Sequence, residues 1–262
     1  MPGGPQPIEH TTRLQTAQDI ADKFMGHYVD QILALGIYGS LARDLDGPYS
    51  DIEMHCILKG DGIEESFEWS AGAWKAEVDV YSREVVLQLA AQVDEEWPFT
   101  HGCYVYVKPL FDPDSFFPIL RQAVLSHPKE VFSQTIQSVI VGDVYEIIGK
   151  IRNAEYINHT ANLPHYADKM AIFCASLIGL DQQHLYTSFT NLFEESLQFP
   201  DRPAGYDPLI QMVMSGELSD PMKIIQAINT LWNGLEEWAA ARGLVIEHQL
   251  EDLLKAKKAR NP

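Results

Sequence analysis

Two carboxylates separated by a single residue, Asp51 and Glu53, carry the clearest chemical signal in this sequence. They lie on a predicted β-strand, where residues i and i+2 project from the same face. Neighbouring carboxylates repel each other unless a cation lies between them, and Mg²⁺ prefers oxygen ligands of this kind. The pair therefore predicts a divalent-metal site.

A Gly-Ser turn precedes these carboxylates and adds a second signal. Gly39 and Ser40 follow the apolar run Ile32–Tyr38 and begin a short predicted helix. Free backbone N–H groups and a hydroxyl at such a turn favour phosphate oxygens. Arg43, in the first turn of the helix, and Ser50, beside the carboxylates, can reach the same phosphates. A phosphate site next to a metal site suggests nucleotidyl transfer.

A third carboxylate can join the first two. Glu77 and Asp79 share one face of another predicted strand, and if this strand lies beside the first carboxylate strand, Glu77 completes a trio that can hold two divalent ions. A polar outward face of an edge strand is the alternative interpretation. We expect Lys75 to point to the opposite side of this strand.

The second half of the chain offers one polar stripe. Asp143, Glu146 and Lys150 fall at i, i+3 and i+7 of a helix predicted over Val139–Asn153. A surface ion pair between Glu146 and Lys150 is the simplest interpretation. The alternative is that the stripe presents a base and a phosphate-binding ammonium group.

The charge balance limits the partners of the protein. With 37 acidic against 19 basic residues, the 262-residue chain carries a formal net charge of −18. A protein that follows a nucleic-acid backbone needs clustered Lys and Arg, so we expect no nucleic-acid partner. A small polycation would instead be attracted by the field of the protein. Acidity that serves only solubility is the alternative.

Other features of the sequence point to the cytoplasm. No apolar run approaches the ~20 residues that a membrane-spanning helix needs, so we expect no membrane partner. Residues 1–7 lack the basic and apolar regions of a signal peptide and are interpreted as a flexible lead-in. Cys56, Cys103 and Cys174 are widely spaced among apolar residues, which argues against a disulfide framework or a structural zinc site.

The order of predicted elements indicates an α+β fold with two domains. Strands are predicted over Ile32–Tyr38, Ile52–Leu58, Ala76–Tyr81 and Gly102–Val107. From about residue 116 to 254 nearly every segment has a helical pattern, best formed over Pro221–Arg242. We therefore predict a mixed-sheet domain in residues 1–125 and a helical-bundle domain in residues 126–262. The basic stretch Lys255–Arg260 is interpreted as a solvated helix end.

These motifs resemble the nucleotidyltransferase superfamily and, within it, the aminoglycoside 4'-O-nucleotidyltransferases. The segments that carry the resemblance lie between about residues 32 and 243 and include Gly36–Arg43, Asp46–Met54, Glu68–Trp69, Trp74–Val78, Gly149–Asn153, Val213–Asp220 and Trp232–Trp238. The resemblance implies an enzyme that uses ATP or another NTP, with Mg²⁺ and two ions expected, to modify the 4'-hydroxyl of an aminoglycoside antibiotic such as kanamycin. It also implies a homodimer with active sites at the subunit interface.

The resemblance further implies a role for each candidate residue. The metal ligands are Asp51, Glu53 and Glu77, and the general base is Glu146. The nucleotide-binding residues are Gly39, Ser40, Arg43, Ser50 and Lys150. The substrate-side residues are Glu68, Lys75 and Asp143. Gly142 stands where the resemblance leads us to expect a second acidic residue, and neighbouring Asp143 is our candidate to replace it.

Two other functions known in the superfamily remain open at this point. One is a nucleotide-binding, antitoxin-like partner protein without small-molecule chemistry. The other is an enzyme that nucleotidylates proteins. The three carboxylates and the large second domain favour the small-molecule enzyme over the antitoxin-like protein.

Overall fold

The computed structural model of the protein describes residues 3–251 and Leu254. The basic stretch predicted to be a solvated helix end lies outside these residues. The chain forms two compact units: one runs to Val93 and resumes over Phe99–Pro128, and the other comprises Asp94–Pro98 and the chain from Lys129 onward. We retain a domain boundary near residue 125 as a proposal.

The first unit is built on a five-stranded mixed sheet with the order β3-β4-β2-β1-β5. Its strands are β1 (Ile32–Tyr38), β2 (Ile52–Leu58), β3 (Glu64–Ser70), β4 (Lys75–Ser82) and β5 (Lys108–Phe111). Strands β2 and β4 are parallel, and the other neighbouring pairs are antiparallel. This sheet, followed by a helical region, confirms the predicted α+β class.

Helices of the first unit include α1 (His10–His27), α2 (Gly39–Ala42), α3 (Arg83–Ala90), α5 (Gly102–Val105) and α6 (Phe116–Leu125). The short helix α4 (Trp97–Thr100) lies where the chain passes between the two units. Ala17, Ile20 and Ala21 of α1 join the buried side chains of the sheet in one apolar core. Apolar residues at helical spacing on α1 explain why this segment packs as a helix.

Two sequence predictions in the first unit are wrong. The strand predicted over Gly102–Val107 is the short helix α5, whose buried residue Val105 lies four positions after buried His101, a helical spacing. Strand β3 was not predicted at all. Nearly all of its residues are exposed, so the alternation of apolar and polar residues that marks a half-buried strand is absent.

The second unit is helical. It contains α7 (Lys129–Val139), a π-helical segment (Ile140–Val144), α8 (Tyr145–Tyr156), α9 (Leu163–Gln182), a 3₁₀ turn (Phe189–Asn191), α10 (Leu192–Ser196), α11 (Tyr206–Ser215) and α12 (Pro221–Ala241). Asp220 caps α12 by accepting hydrogen bonds from the N–H groups of Met222 and Lys223. The helix predicted over Pro221–Arg242 is therefore confirmed.

One predicted helix of the second unit differs in detail. The segment Val139–Asn153 is the last residue of α7, the π-helical segment and most of α8. A π-helical turn shifts the angular positions of the residues that follow it, so Asp143 does not share a simple α-helical stripe with Glu146 and Lys150. None of the helices in the described part of the chain is long and apolar enough to cross a membrane.

Candidate active site

Three glutamates form a row across the sheet of the first unit. Glu68 on β3 pairs with Glu77 on β4, and Glu77 pairs with Glu53 on β2. Tyr38, the last residue of β1, is the next member of the row. Directly opposite residues of neighbouring strands interact, and like charges in such positions destabilise a sheet. Sheet stability therefore does not explain the row.

Asp51 and Lys75 lie two residues before Glu53 and Glu77, respectively. Asp51 immediately precedes β2 rather than lying within it, and Lys75 begins β4. The Lys75 Nζ atom lies 2.7 Å from Glu68 Oε1 and 3.6 Å from Asp51 Oδ2. The prediction that Lys75 points to the opposite side is wrong, because Lys75 and Glu77 are two residues apart and share the partly exposed face of β4.

The electrostatics of the row centre on Glu53. Burial raises the pKa of Glu53, and repulsion from Asp51 and Glu77 raises it further, to about 7, although Lys75 acts in the opposite direction. The pKa of Glu77 is also raised, first by burial and then by Asp79. The cluster therefore holds more negative charge than its single ammonium group balances.

Gly39 leaves the space that the Glu53 carboxylate occupies. The glycine begins α2 with φ +71°, and a Cβ atom built on it would lie 1.8 Å from Glu53 Oε2. The backbone conformation favours glycine at this position, and any other residue would in addition displace the carboxylate. The turn and the metal-binding candidate are thus in direct contact.

The other nucleotide-binding candidates of the first unit are Ser40, Arg43 and Ser50. Ser40 follows Gly39 in α2, and Ser50 immediately precedes Asp51. The Ser50 hydroxyl accepts a hydrogen bond of 3.0 Å from the N–H of Gly47, which fixes the turn before β2. The guanidinium group of Arg43 lies over the Tyr106 ring at 4.4 Å from its centroid, an orientation that restricts it.

In the second unit, Glu146 and Lys150 are paired. Glu146 Oε1 lies 2.6 Å from Lys150 Nζ, and both side chains are largely exposed on α8. The hydrogen bond from Lys150 lowers the pKa of Glu146. Asp143 lies in the π-helical segment, beside Gly142. A Cβ atom on Gly142 would have no heavy atom within 4 Å, so the segment offers open space there.

The donor set of the first unit suits a hard cation. Asp51, Glu53 and Glu77 offer only carboxylate oxygens, the ligands that Mg²⁺ prefers. The ammonium group of Lys75 lies 3.6 Å from Asp51 Oδ2, so a cation already neighbours this carboxylate. Among the described residues, no group of three His, Cys, Asp or Glu side chains is arranged to hold a metal ion as it stands. The carboxylates are therefore neighbours that would have to reorient around an ion.

Comparisons with known proteins identify the family of this chain. The family model for the KNTase C-terminal domain matches residues 114–245. An aminoglycoside nucleotidyltransferase (4') from Staphylococcus aureus is 36% identical over 244 residues, which cover 93% of this chain and 96% of the relative. A protein of the same description from a Bacillus species matches with the same identity and coverage. This chain belongs to the aminoglycoside 4'-nucleotidyltransferase family.

A distant solved structure supports the fold of this family member. The crystal structure of a nucleotidyltransferase-like protein from Exiguobacterium sibiricum 255-15 matches with a TM-score of 0.51 and 12% identity, covering 87% of this chain and 74% of that chain. At such low identity the similarity concerns the fold alone. It agrees with the mixed sheet followed by helices.

Sequence reasoning missed a buried polar group behind the candidate site of this 4'-nucleotidyltransferase family member. The Tyr38 hydroxyl donates a 2.9 Å hydrogen bond to Asp79 Oδ2. The ring of His55 stacks on Tyr38 at a centroid distance of 4.2 Å, and its Nε2 atom lies 3.3 Å from the carbonyl oxygen of Cys103. A histidine two residues after Glu53, within an apolar strand, is the signal that could have revealed this group.

Proposed function

We propose that this protein transfers the nucleoside monophosphate of Mg-ATP, or of a similar NTP, to the 4'-hydroxyl of aminoglycosides such as kanamycin and releases pyrophosphate. The observation that carries the proposal is the glutamate row of Glu53, Glu77 and Glu68 in a member of this family. Such a row stabilises the protein poorly by itself and becomes favourable when cations bind to it.

The residues of the first unit would bind the nucleotide and the metal. Asp51, Glu53 and Glu77 would hold Mg²⁺, for which two ions are expected. When bound, Mg²⁺ neutralises the charge that develops on the transferring phosphoryl group. Gly39, Ser40, Arg43 and Ser50 would contact the triphosphate through a backbone N–H, hydroxyls and a guanidinium group. Their task is positioning and charge neutralisation.

Glu146 and Lys150 would take part in the transfer step. The 4'-oxygen forms a bond to the α-phosphorus, the bond from that phosphorus to the pyrophosphate oxygen breaks, and Glu146 would accept the hydroxyl proton. Lys150 would contact the phosphates. In the structure Lys150 also donates a hydrogen bond to Glu146 that lowers the pKa of this carboxyl group, so Lys150 would have to turn from Glu146 to the phosphates for the carboxylate to accept the proton.

The antibiotic would be bound through its charge. Aminoglycosides carry several ammonium groups, and the net charge of −18 attracts a polycation. Glu68, Lys75 and Asp143 are the proposed substrate-side residues. We further propose a homodimer with active sites at the subunit interface. A cytoplasmic location suits the three free cysteines of the described structure, Cys56, Cys103 and Cys174.

Mass spectrometry tests the proposal directly. Kanamycin is incubated with the protein, ATP and Mg²⁺, in parallel with an analogue that lacks the 4'-hydroxyl. We expect kanamycin to gain one nucleoside monophosphate and the analogue to remain unmodified. A nucleoside monophosphate found on a polypeptide instead of kanamycin would contradict the proposal. Pyrophosphate release that does not depend on the antibiotic would also contradict it.

A further inference from the structure

The N-terminal segment Pro5–Ile8, named here the strap, is tied to the body of the first unit. The N–H of Gln6 donates a 2.8 Å hydrogen bond to the carbonyl of Ala73, and the N–H of Ile8 donates a 2.9 Å bond to the carbonyl of Pro48. The expectation of a flexible lead-in is therefore wrong for Gln6, and residues 1 and 2 lie outside the described residues. Prolines occupy the alternate positions of the strap, which have no N–H to satisfy. This pattern favours one face of the strap for hydrogen bonding.

The two acceptors of the strap precede residues of the candidate active site. Ala73 lies in the turn between β3 and β4, two residues before Lys75. Pro48 lies in the loop before β2, three residues before Asp51. A single segment therefore bridges the loops from which Asp51 and Lys75 emerge, and these two side chains are themselves paired.

Arg13 reinforces the same connection from α1. Its side chain is 1% exposed and forms an ion pair with Asp46, whose side chain is 2% exposed. The second guanidinium nitrogen donates to the carbonyl of Pro48 at 2.9 Å and to that of Ile8 at 3.2 Å. Arg13 thus joins α1, the strap and the loop before β2. A buried ion pair of this kind is better suited to fixing one geometry than to adding stability.

The strap also forms one wall of a cavity of about 210 Å³. The opposite walls are formed by Tyr49, Ser50 and Asp51 and by the segment Ala73 to Lys75. A molecule in this cavity would touch the strap and the active-site candidates at the same time. The position of the strap therefore affects the shape of the space beside Asp51.

We infer that the strap and Arg13 act as a positioning clamp for Ser50 and Asp51. The clamp holds the loop before β2, on which the Ser50 hydroxyl and the Asp51 carboxylate lie, in one conformation. This inference rests on the proposed nucleotidyl transfer for its consequence, but the ordering of the loop can be measured without any substrate.

A pair of double variants isolates the hydrogen bonds of the strap. Gln6→Pro with Ile8→Pro removes both N–H donors, whereas Gln6→Ala with Ile8→Ala shortens the same side chains and keeps both donors. Hydrogen–deuterium exchange is followed over residues 47–52 in the full chain without ligands. The loss of one hydrogen bond changes a local opening equilibrium by about fivefold. We therefore expect the amides of residues 47–52 to exchange at least about fivefold faster in the double proline variant (the proline pair) than in the double alanine variant (the alanine pair).

Steady-state kinetics connect the clamp with function. In the proline pair we expect the KM for Mg-ATP to rise about fivefold or more, with kcat falling less, while the alanine pair resembles the wild type. Equal exchange in the two pairs would overturn the inference, and so would faster exchange without any kinetic change. If the wild type modifies no aminoglycoside, the proposed function fails, while the exchange experiment still decides whether the clamp orders Ser50 and Asp51.

Discussion

The carboxylate of Glu53 occupies the space in which a side chain on Gly39 would lie. A Cβ atom on Gly39 would come within 1.8 Å of Glu53 Oε2, and the glycine has φ +71°. The absence of a side chain in the turn that begins α2 therefore allows the carboxylate on β2 to lie against the backbone of that turn. Two motifs that are separate in the sequence form one structural unit.

Replacing Gly39 by alanine tests this dependence. We expect Gly39→Ala to displace the Glu53 carboxylate. Because a misplacement of about 1 Å in an active site can cost about 10² in rate, kcat/KM should fall by about 10² or more. The left-handed backbone conformation adds a stability cost of about 1–2 kcal/mol. Gly26→Ala is the control, since a Cβ on Gly26 in α1 meets no heavy atom within 4 Å and alanine favours a helix. Normal turnover in Gly39→Ala would contradict the assigned contact.

The metal assignment makes a separate prediction for Asp51. Asp51→Asn keeps the shape of the side chain and removes its charge, so we expect turnover below detection at saturating Mg²⁺. Chelation of divalent ions should inactivate the wild type, and added Mg²⁺ should restore it. Asp61→Asn, a change of an exposed aspartate between β2 and β3, should leave turnover unchanged. Near-normal turnover in Asp51→Asn would rule out Asp51 as a metal ligand.

The role of Glu146 as a base can be separated from a role in binding. We expect Glu146→Gln to lower kcat by about 10²–10⁴ with little change in the KM for kanamycin. The matched control is Glu155→Gln, which changes another exposed glutamate of α8. An effect confined to KM would show that Glu146 binds the antibiotic and takes no proton.

Glu195 makes a prediction about pH and stability in the second unit. Burial alone would raise the pKa of Glu195, but hydrogen bonds from the Thr187 N–H and contact with His184 lower it below its ordinary value of 4.5. A carboxyl group with a lowered pKa stabilises the fold above its unfolded pKa, and this contribution is lost as the pH falls through the folded value.

Urea unfolding at pH 7 and at pH values below about 4.5 checks this effect. Glu195→Gln should lower the free energy of unfolding by about 1 kcal/mol at pH 7 and should lose less stability than the wild type on acidification. Glu194→Gln, a change of the exposed neighbour, should follow the wild type at both pH values. Parallel pH curves for Glu195→Gln and the wild type would contradict the assigned cause.

The parts of the fold that could be predicted are those with strong local patterns. The bounds of β1 and β2 were predicted correctly because both are nearly continuous buried runs. Helix α12 was predictable from its cap, its apolar stripe and the glycine that follows it. The neighbouring positions of Glu53 and Glu77 were expected from the two-residue period of strands, on the condition that β2 and β4 are neighbours in the sheet, as they are.

The features that were missed depend on distant partners. The hydrogen bonds of the strap and the ion pair of Arg13 with Asp46 join segments more than 30 residues apart, and no local pattern marks them. Strand β3 exists because it pairs with β4, not because of its own polarity pattern. The π-helical turn at Gly142 has the same local sequence character as an α-helix.

Strand β3 has a consequence for how the protein behaves at high concentration. It is one of the two edge strands of the sheet, and an edge strand is a template on which further chains can pair. Glu64, Glu65 and Glu68 place a dense negative charge along it. A second copy that approached in register would bring glutamate against glutamate, so the acidity of this strand disfavours edge-to-edge pairing.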